Sequence, residues 1–155
     1  MAALGNFLIN QFIDFMFRAQ ALGITGATAA AGTGPATLYL GLYTTADNTM
    51  DTGVEVTGGS YARVAITSSL ANWSGTQGAG TTTVSTGTSG RISNNNAITF
   101  PAPTANWGTV VGIGIHDALV GGNLLYFAPL TTNDTVNNGD AAPSFPAGSL
   151  VFTVV

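Results

Sequence analysis

Cysteine and lysine are both missing from this chain of 155 residues. Without cysteine there can be no disulfide framework and no thiolate metal site. Without lysine there is no phosphate-gripping loop of the Gly-Lys-Ser/Thr kind. Histidine occurs once, at His116, which leaves a zinc site short of its usual three or four ligands. Charge of either sign is scarce. Only 6% of residues are charged, against about 25% in an ordinary soluble domain. The three cations are Arg18, Arg63 and Arg91, set against seven acids, for a formal net charge of -4. That balance excludes the basic footprint needed to displace counterions from nucleic-acid phosphates. It equally excludes an electrostatic membrane anchor.

What remains is 45% hydrophobic residues, enough for a core, in a length that suits about one domain. Threonine, serine, asparagine and glycine must cover the surface. Such a surface repels copies of itself weakly and suits a protein that lives in an assembly.

The first segment differs from the rest. Leu4, Phe7, Leu8, Ile9, Phe12, Ile13, Phe15, Met16 and Phe17 crowd it, and Asn6, Asn10, Asp14 and Arg18 recur every fourth position as one narrow polar stripe. Asp14 and Arg18 are spaced to pair along that stripe. The spacing predicts a helix from about Ala3 to Ala21, ended near Gly23. No basic residue precedes the apolar run, as a signal peptide would require, and a polar residue interrupts each turn, unlike a membrane span. The apolar surface is wider than one small domain needs. It can pack on its own domain or on a neighbouring subunit, and periodicity does not separate the two.

Residues 23–36 form a small-residue linker, after which the apolar period changes to two. Leu38, Leu40 and Leu42 alternate with polar or small neighbours, as do Ala62, Val64 and Ile66, and Leu150, Phe152 and Val154. Further strands are expected at Ala97–Phe100, Thr109–Ile115 and Asn123–Ala128, separated by Gly, Pro and Asn turns. The pattern gives a mainly β fold: an antiparallel β-sandwich, jelly-roll-like, over residues 37–155, behind one N-terminal amphipathic helix within 1–22. Residues 74–90 are of low complexity, with almost nothing apolar to bury, and read as an exposed loop or ragged hairpin.

Candidate chemistry is sparse. Gly112 and Gly114 sit one residue apart, but no helix follows whose N-terminus could hold a phosphate, so the pair reads as a place where a strand lets something approach closely. His116 and Asp117 are neighbours on a strand and point to opposite faces. Asp47, Asp51 and Glu55 carry the right atoms for calcium at the wrong spacing for an EF-hand. Trp73 and Trp107 could stack on sugars, although packing is the commoner role of large aromatics. No catalytic, metal or cofactor residues are assigned. The expected subunit interface comprises Phe7, Leu8, Phe12, Phe15, Met16, Trp107, Gly112 and Gly114.

A family resemblance runs through the ordered motifs GGSYAR (58–63), ITFPAPTANWGTV (98–110), GIHDALVGGNLLYFAPLT (114–131), VNNGD (136–140) and FPAGSL (145–150), with a strand like LYLGLYTTAD (38–47) and an apolar helix carrying "FR" near its end. Together they resemble a small structural protein family of tailed bacteriophages commonly labelled tail fibre protein. The resemblance covers nearly the whole chain and implies no catalytic residue. It implies a non-enzymatic virion protein on the particle exterior, in the tail-fibre apparatus or as a capsid decoration. The expected partners are other virion proteins and copies of the chain itself as a homo-oligomer, with no nucleic acid, membrane or cofactor. The alternative is a carbohydrate-binding adhesion module whose partner is a host-surface glycan.

Overall fold

The computed structural model describes residues 4–24, 34–46 and 52–154. Ala3, most of the 23–36 linker, and Asp47 and Asp51 of the candidate calcium set lie outside the described residues.

One helix, α1 (Asn6–Arg18), precedes eight strands: β1 (Thr37–Tyr43), β2 (Val64–Thr67), β3 (Arg91–Ser93), β4 (Ile98–Thr99), β5 (Gly108–His116), β6 (Leu124–Val136), β7 (Ser144–Phe145) and β8 (Val151–Thr153). The expected mainly β fold with antiparallel sheets and a single N-terminal helix is the one observed. Two compact units share the chain. One gathers Met1–Thr37, Thr67–Ile98 and Phe145–Val155, and the other gathers Leu38–Ile66 and Thr99–Ser144.

In the first unit α1 is shorter than its sequence suggests. Ala19, in the left-handed conformation at φ 53°, ends it, well before Gly23. The Gln20 N–H reaches back to the Asp14 carbonyl at 3.0 Å, and the Gln20 side chain donates to the Arg18 carbonyl at 2.9 Å. The last orphan carbonyls are thus satisfied without glycine.

The polar stripe of α1 faces inward from Asn10 to Arg18, while Asn6 is exposed. Arg18 is fully buried and Asp14 nearly so. Arg18 Nη1 donates to Asp14 Oδ1 at 2.7 Å and to Ser85 Oγ at 3.2 Å. Its Nε donates to the Trp73 carbonyl, and its Nη2 to the Thr83 carbonyl at 2.6 Å. Asp14 in turn accepts from the Ser85 N–H at 2.7 Å and the Ser85 hydroxyl at 2.6 Å. One turn earlier, Asn10 accepts from the Thr76 hydroxyl and donates to the Gly87 carbonyl. The partners all come from the low-complexity segment and its approach. That segment is irregular, but Ser74, Gly75, Thr76, Ser85 and Gly90 are buried. Residues 77–80 and 82–84 are exposed, as expected of a loop, while the buried positions supply the hydroxyls and carbonyls that a buried arginine and carboxylate require.

Beside this polar seam lies an apolar one. Ile9, Ile13 and Phe17 are buried. Phe17 meets Trp73 edge-on at 5.3 Å and Phe152 at 5.6 Å, and Phe152 also meets Trp73 at 5.7 Å. Strand β8 holds Phe152 in place by pairing antiparallel with β3, where Ile92 faces Phe152.

The second unit is built on a four-stranded sheet of order β2-β1-β5-β6. Leu38, Leu40 and Leu42 of β1 are buried, as the alternating pattern requires. β1 pairs antiparallel with β5, and Gly41 faces Gly114 across the ladder. β5 pairs antiparallel with β6, with register shifts between Val110 and Gly112 and between Ile115 and His116. β6 runs well past the expected end at Ala128. The ladder with β5 resumes beyond the bulge, where Thr135 faces Thr109.

The polar seam generates a stability prediction. Arg18→Met leaves Asp14 buried without its cation and Ser85, Trp73 and Thr83 without a donor, so it should cost about 3–5 kcal/mol. Pairing it with Asp14→Leu removes the stranded charge and should recover part of that loss. Urea denaturation of the two variants beside the parent chain measures both effects.

Candidate functional site

The only histidine lies at the end of β5, where the sequence placed the strand's exit. His116 is 3% exposed. Its ring stacks on Tyr43 at 6.0 Å with planes 3° apart, and Nε2 shares a 2.9 Å hydrogen bond with the Tyr43 hydroxyl. Asp117 turns away to the surface. It accepts from the Asn123 N–H and the Asn123 side-chain amide, both at 2.7 Å, and so closes the β5–β6 turn. The two neighbours do not pair, as alternation on a strand requires. Asn123 holds the Asp117 carboxyl below the usual carboxylate range. Burial pushes the His116 imidazole down from its ordinary value, and the nearby Arg63 charge adds to this.

A second polar cluster was not singled out in the sequence. Tyr61 and Arg63, two apart on one extended segment, both reach Glu55. Arg63 Nε and Nη2 grip the Glu55 carboxylate side-on at 2.8 and 2.7 Å, the planar fork-to-fork geometry that favours arginine over lysine. The Tyr61 hydroxyl donates to Glu55 Oε1 at 2.7 Å and accepts from the Leu42 N–H at 2.9 Å. Gly41 makes room for this, since a Cβ there would sit 2.8 Å from Glu55 Oε1 and 3.1 Å from the Tyr61 hydroxyl. Arg63 Nη1 then donates to the Ala118 and Gly121 carbonyls, both at 2.7 Å, fixing the β5–β6 turn from below.

Burial alone would raise the Glu55 carboxyl, but the bonds from Arg63 and Tyr61 outweigh it and hold it low. Burial and the Glu55 bond drive the Tyr61 hydroxyl far above its usual range. The alternation of Tyr61 and Arg63 on one face was the available signal for this cluster. Its carboxylate partner lay across a Gly-Gly turn whose path the sequence does not fix. The geometry is that of a closed clamp. Glu55 is matched by Arg63 and Tyr61 and His116 Nε2 by Tyr43, while His116 Nδ1 is buried without a hydrogen-bond partner among the described residues.

The expected interface residues fall into two groups. On α1, Phe7 is 60% exposed and Phe12 43% exposed, with Leu4 and Leu8 beside them. Phe15 and Met16 are half-buried. Trp107, Gly112 and Gly114 are covered within the chain. The Trp107 indole N–H donates to the Gly59 carbonyl at 2.9 Å, and its ring meets Tyr61 edge-on at 5.4 Å. A Cβ at Gly112 would strike the Phe127 ring. One at Gly114 would sit 2.6 Å from Tyr43 and 2.7 Å from Leu124. The flat glycine face is therefore filled by aromatic rings of the same unit. Trp73 is fully buried as well. Of the four tyrosines, Tyr43 is buried and Tyr39, Tyr61 and Tyr126 are half-buried.

The cluster around His116 makes stability depend on acid. A histidine held neutral by the fold binds its proton more weakly than in the unfolded chain. The unfolded state therefore gains protons first as pH falls below about 6.5, and stability declines from there downward. Glu55 adds the usual carboxylate loss at lower pH, below its unfolded value. The thermal midpoint should fall between pH 7.5 and pH 5.5, and His116→Gln should flatten that decline. Calorimetric scans of both chains across the range test this.

No curated protein matches the chain. A family model does, described as podophage GP4 fiber I protein gp80, over residues 3–153. The match spans both compact units and the helix, and the chain belongs to this family of phage fibre proteins, carried on the virion exterior.

Proposed function

We propose that the chain is a non-enzymatic building block of the virion exterior that docks through the outer face of α1. One observation carries this reading. The helix turns its charged residues inward and leaves Phe7, Leu8 and Phe12 exposed, with Leu4 exposed just before its first turn. Ordinary amphipathic helices place these groups the other way round. An uncharged apolar row of this kind gains its stabilisation only when another protein covers it. The partners are other virion proteins and further copies of the chain, as a homo-oligomer. Phe15 and Met16 flank the row and extend the contact. Trp107, Gly112 and Gly114, once expected at the interface, are left out because their own unit covers them.

The non-enzymatic part is supported by the pairing of Asp117 with Asn123, of Glu55 with Arg63 and of Asp14 with Arg18, and by the burial of the His116 ring, whose Nε2 is bonded to Tyr43 and whose Nδ1 has no partner among the described residues. Tail-fibre attachment and capsid decoration would use the same helix face. They are told apart by where the labelled protein sits on the particle.

Removing α1 altogether would also strip the 74–90 segment of its partners, so point changes make the cleaner test. Phe7→Ser with Phe12→Ser should leave the circular dichroism spectrum unchanged. It should also move the purified chain to a smaller sedimenting species and abolish its co-sedimentation with particles lacking the native protein. A double variant that assembles and co-sediments as well as the parent would refute the reading.

A further inference from the structure

The chain has three arginines and no lysine, and two of the arginines are committed internally. Arg18 is buried against Asp14, and Arg63 is held by Glu55 and two carbonyls. Arg91 is different. It is exposed on β3, and among the described residues its guanidinium has no ion pair and no hydrogen bond. Gly90, at φ +61°, makes the turn that delivers it. A Cβ at Gly90 would strike the Val154 carbonyl, so the turn is fixed tightly against the chain beside β8. Ser89 Oγ accepts from the Arg91 N–H at 3.2 Å and donates to the Thr76 carbonyl at 2.6 Å, bracing the start of the strand.

Arg91 stands at a cleft of about 260 Å³ within the first unit. Gln77 and Ser89 line it and keep acceptor oxygens there, their donors being held by the Val84 and Thr76 carbonyls, while Gly78 and Gly148 bring backbone, and Ile92 and Val151 supply apolar surface. No carboxylate lines it. In a chain of net charge -4, the arginine without a partner among the described residues therefore lies at a concave site lined by no acid. A guanidinium so placed favours a carboxylate or phosphate. The surrounding amide, hydroxyl and backbone groups suit a ligand that also carries hydroxyls, and the apolar patch suits the C–H face of a ring. An acidic sugar has all three features.

We propose that this cleft is a binding site for an acidic saccharide, with Arg91 holding the charged substituent as a carboxylate or phosphate. Sugar recognition here needs no aromatic platform, in keeping with the burial of both tryptophans.

The test is a titration of the whole chain followed by ¹⁵N–¹H NMR. The probes are digalacturonic acid, mannose 6-phosphate, maltose and inorganic phosphate at equal concentrations. At least one acidic sugar should shift the amide signals of Gly78, Ala79, Arg91 and Gly148, and maltose and inorganic phosphate should not. The acidic sugar that binds more tightly identifies the charged group. Arg91→Gln, an exposed change that leaves the rest of the spectrum in place, should weaken that binding about tenfold or more. The proposal is overturned if neither acidic sugar shifts these signals or if Arg91→Gln binds as well as the parent. It is equally overturned if maltose or inorganic phosphate binds as tightly as the acidic sugars. Arg91 is remote in role from the α1 face, so failure here leaves the co-sedimentation result on Phe7 and Phe12 standing, and the reverse.

Discussion

The buried pair of Asp14 and Arg18 constrains most of what surrounds it. A carboxylate and a guanidinium taken out of water are tolerated only when the remaining donors and acceptors are matched. Ser85, Thr83 and Trp73 match them here. This requirement fixes how the helix is turned about its axis. It also explains how a segment with so little to bury becomes part of the interior. The 74–90 stretch contributes polar partners at defined positions, and its small residues let the backbone come close enough to do so. With the polar row inward, the opposite apolar row is left outward, so one interaction sets both the internal seam and the external face.

The second unit uses the same device on a smaller scale. Glu55, Tyr61 and Arg63 form a closed set that reaches across a glycine of β1 and secures the turn after β5. Few charges in the chain are spread over the surface for solubility. Arg18 and Arg63 are spent on fixing geometry, and among the described acids Asp14 and Glu55 are spent with them. The outer surface is left to hydroxyls, amides and glycine. That surface gives little long-range repulsion between copies, which suits a protein of a phage fibre family.

Much of the fold could be read from the sequence, for reasons that also mark the limits. Period-two runs located β1, β2 and β8, because one buried face of a strand imposes alternation, and the candidate segments at 109–115 and 123–128 fell on β5 and the start of β6. The continuation of β6 shows no alternation, because residues 131–135 are exposed on both faces of the strand. The short strands β3 and β7 are too brief to show a period. On α1 the four-residue spacing grouped Asn10, Asp14 and Arg18 correctly. Spacing says which residues share a face, but not which face is covered, and the covering segment lies some seventy residues along the chain. The separation of His116 from Asp117 followed from strand geometry alone. That Gly112 and Gly114 admit something close was also legible. That the visitors are Phe127 and Tyr43 depended on register, which no local pattern encodes.

The discontinuity of the first unit bears on how the protein is made. As the chain leaves the ribosome, α1 emerges first, yet Ser85 and Gly87, which satisfy its buried polar row, follow much later, and Phe152 of β8 later still. For most of synthesis neither face of the helix has its final neighbour. The outer apolar row is available for the whole of that interval, before the unit that carries it has closed. Nascent chains on one polysome would be at their most adhesive at that stage, and chaperone shielding or early pairing between chains would act then, ahead of any step on the particle.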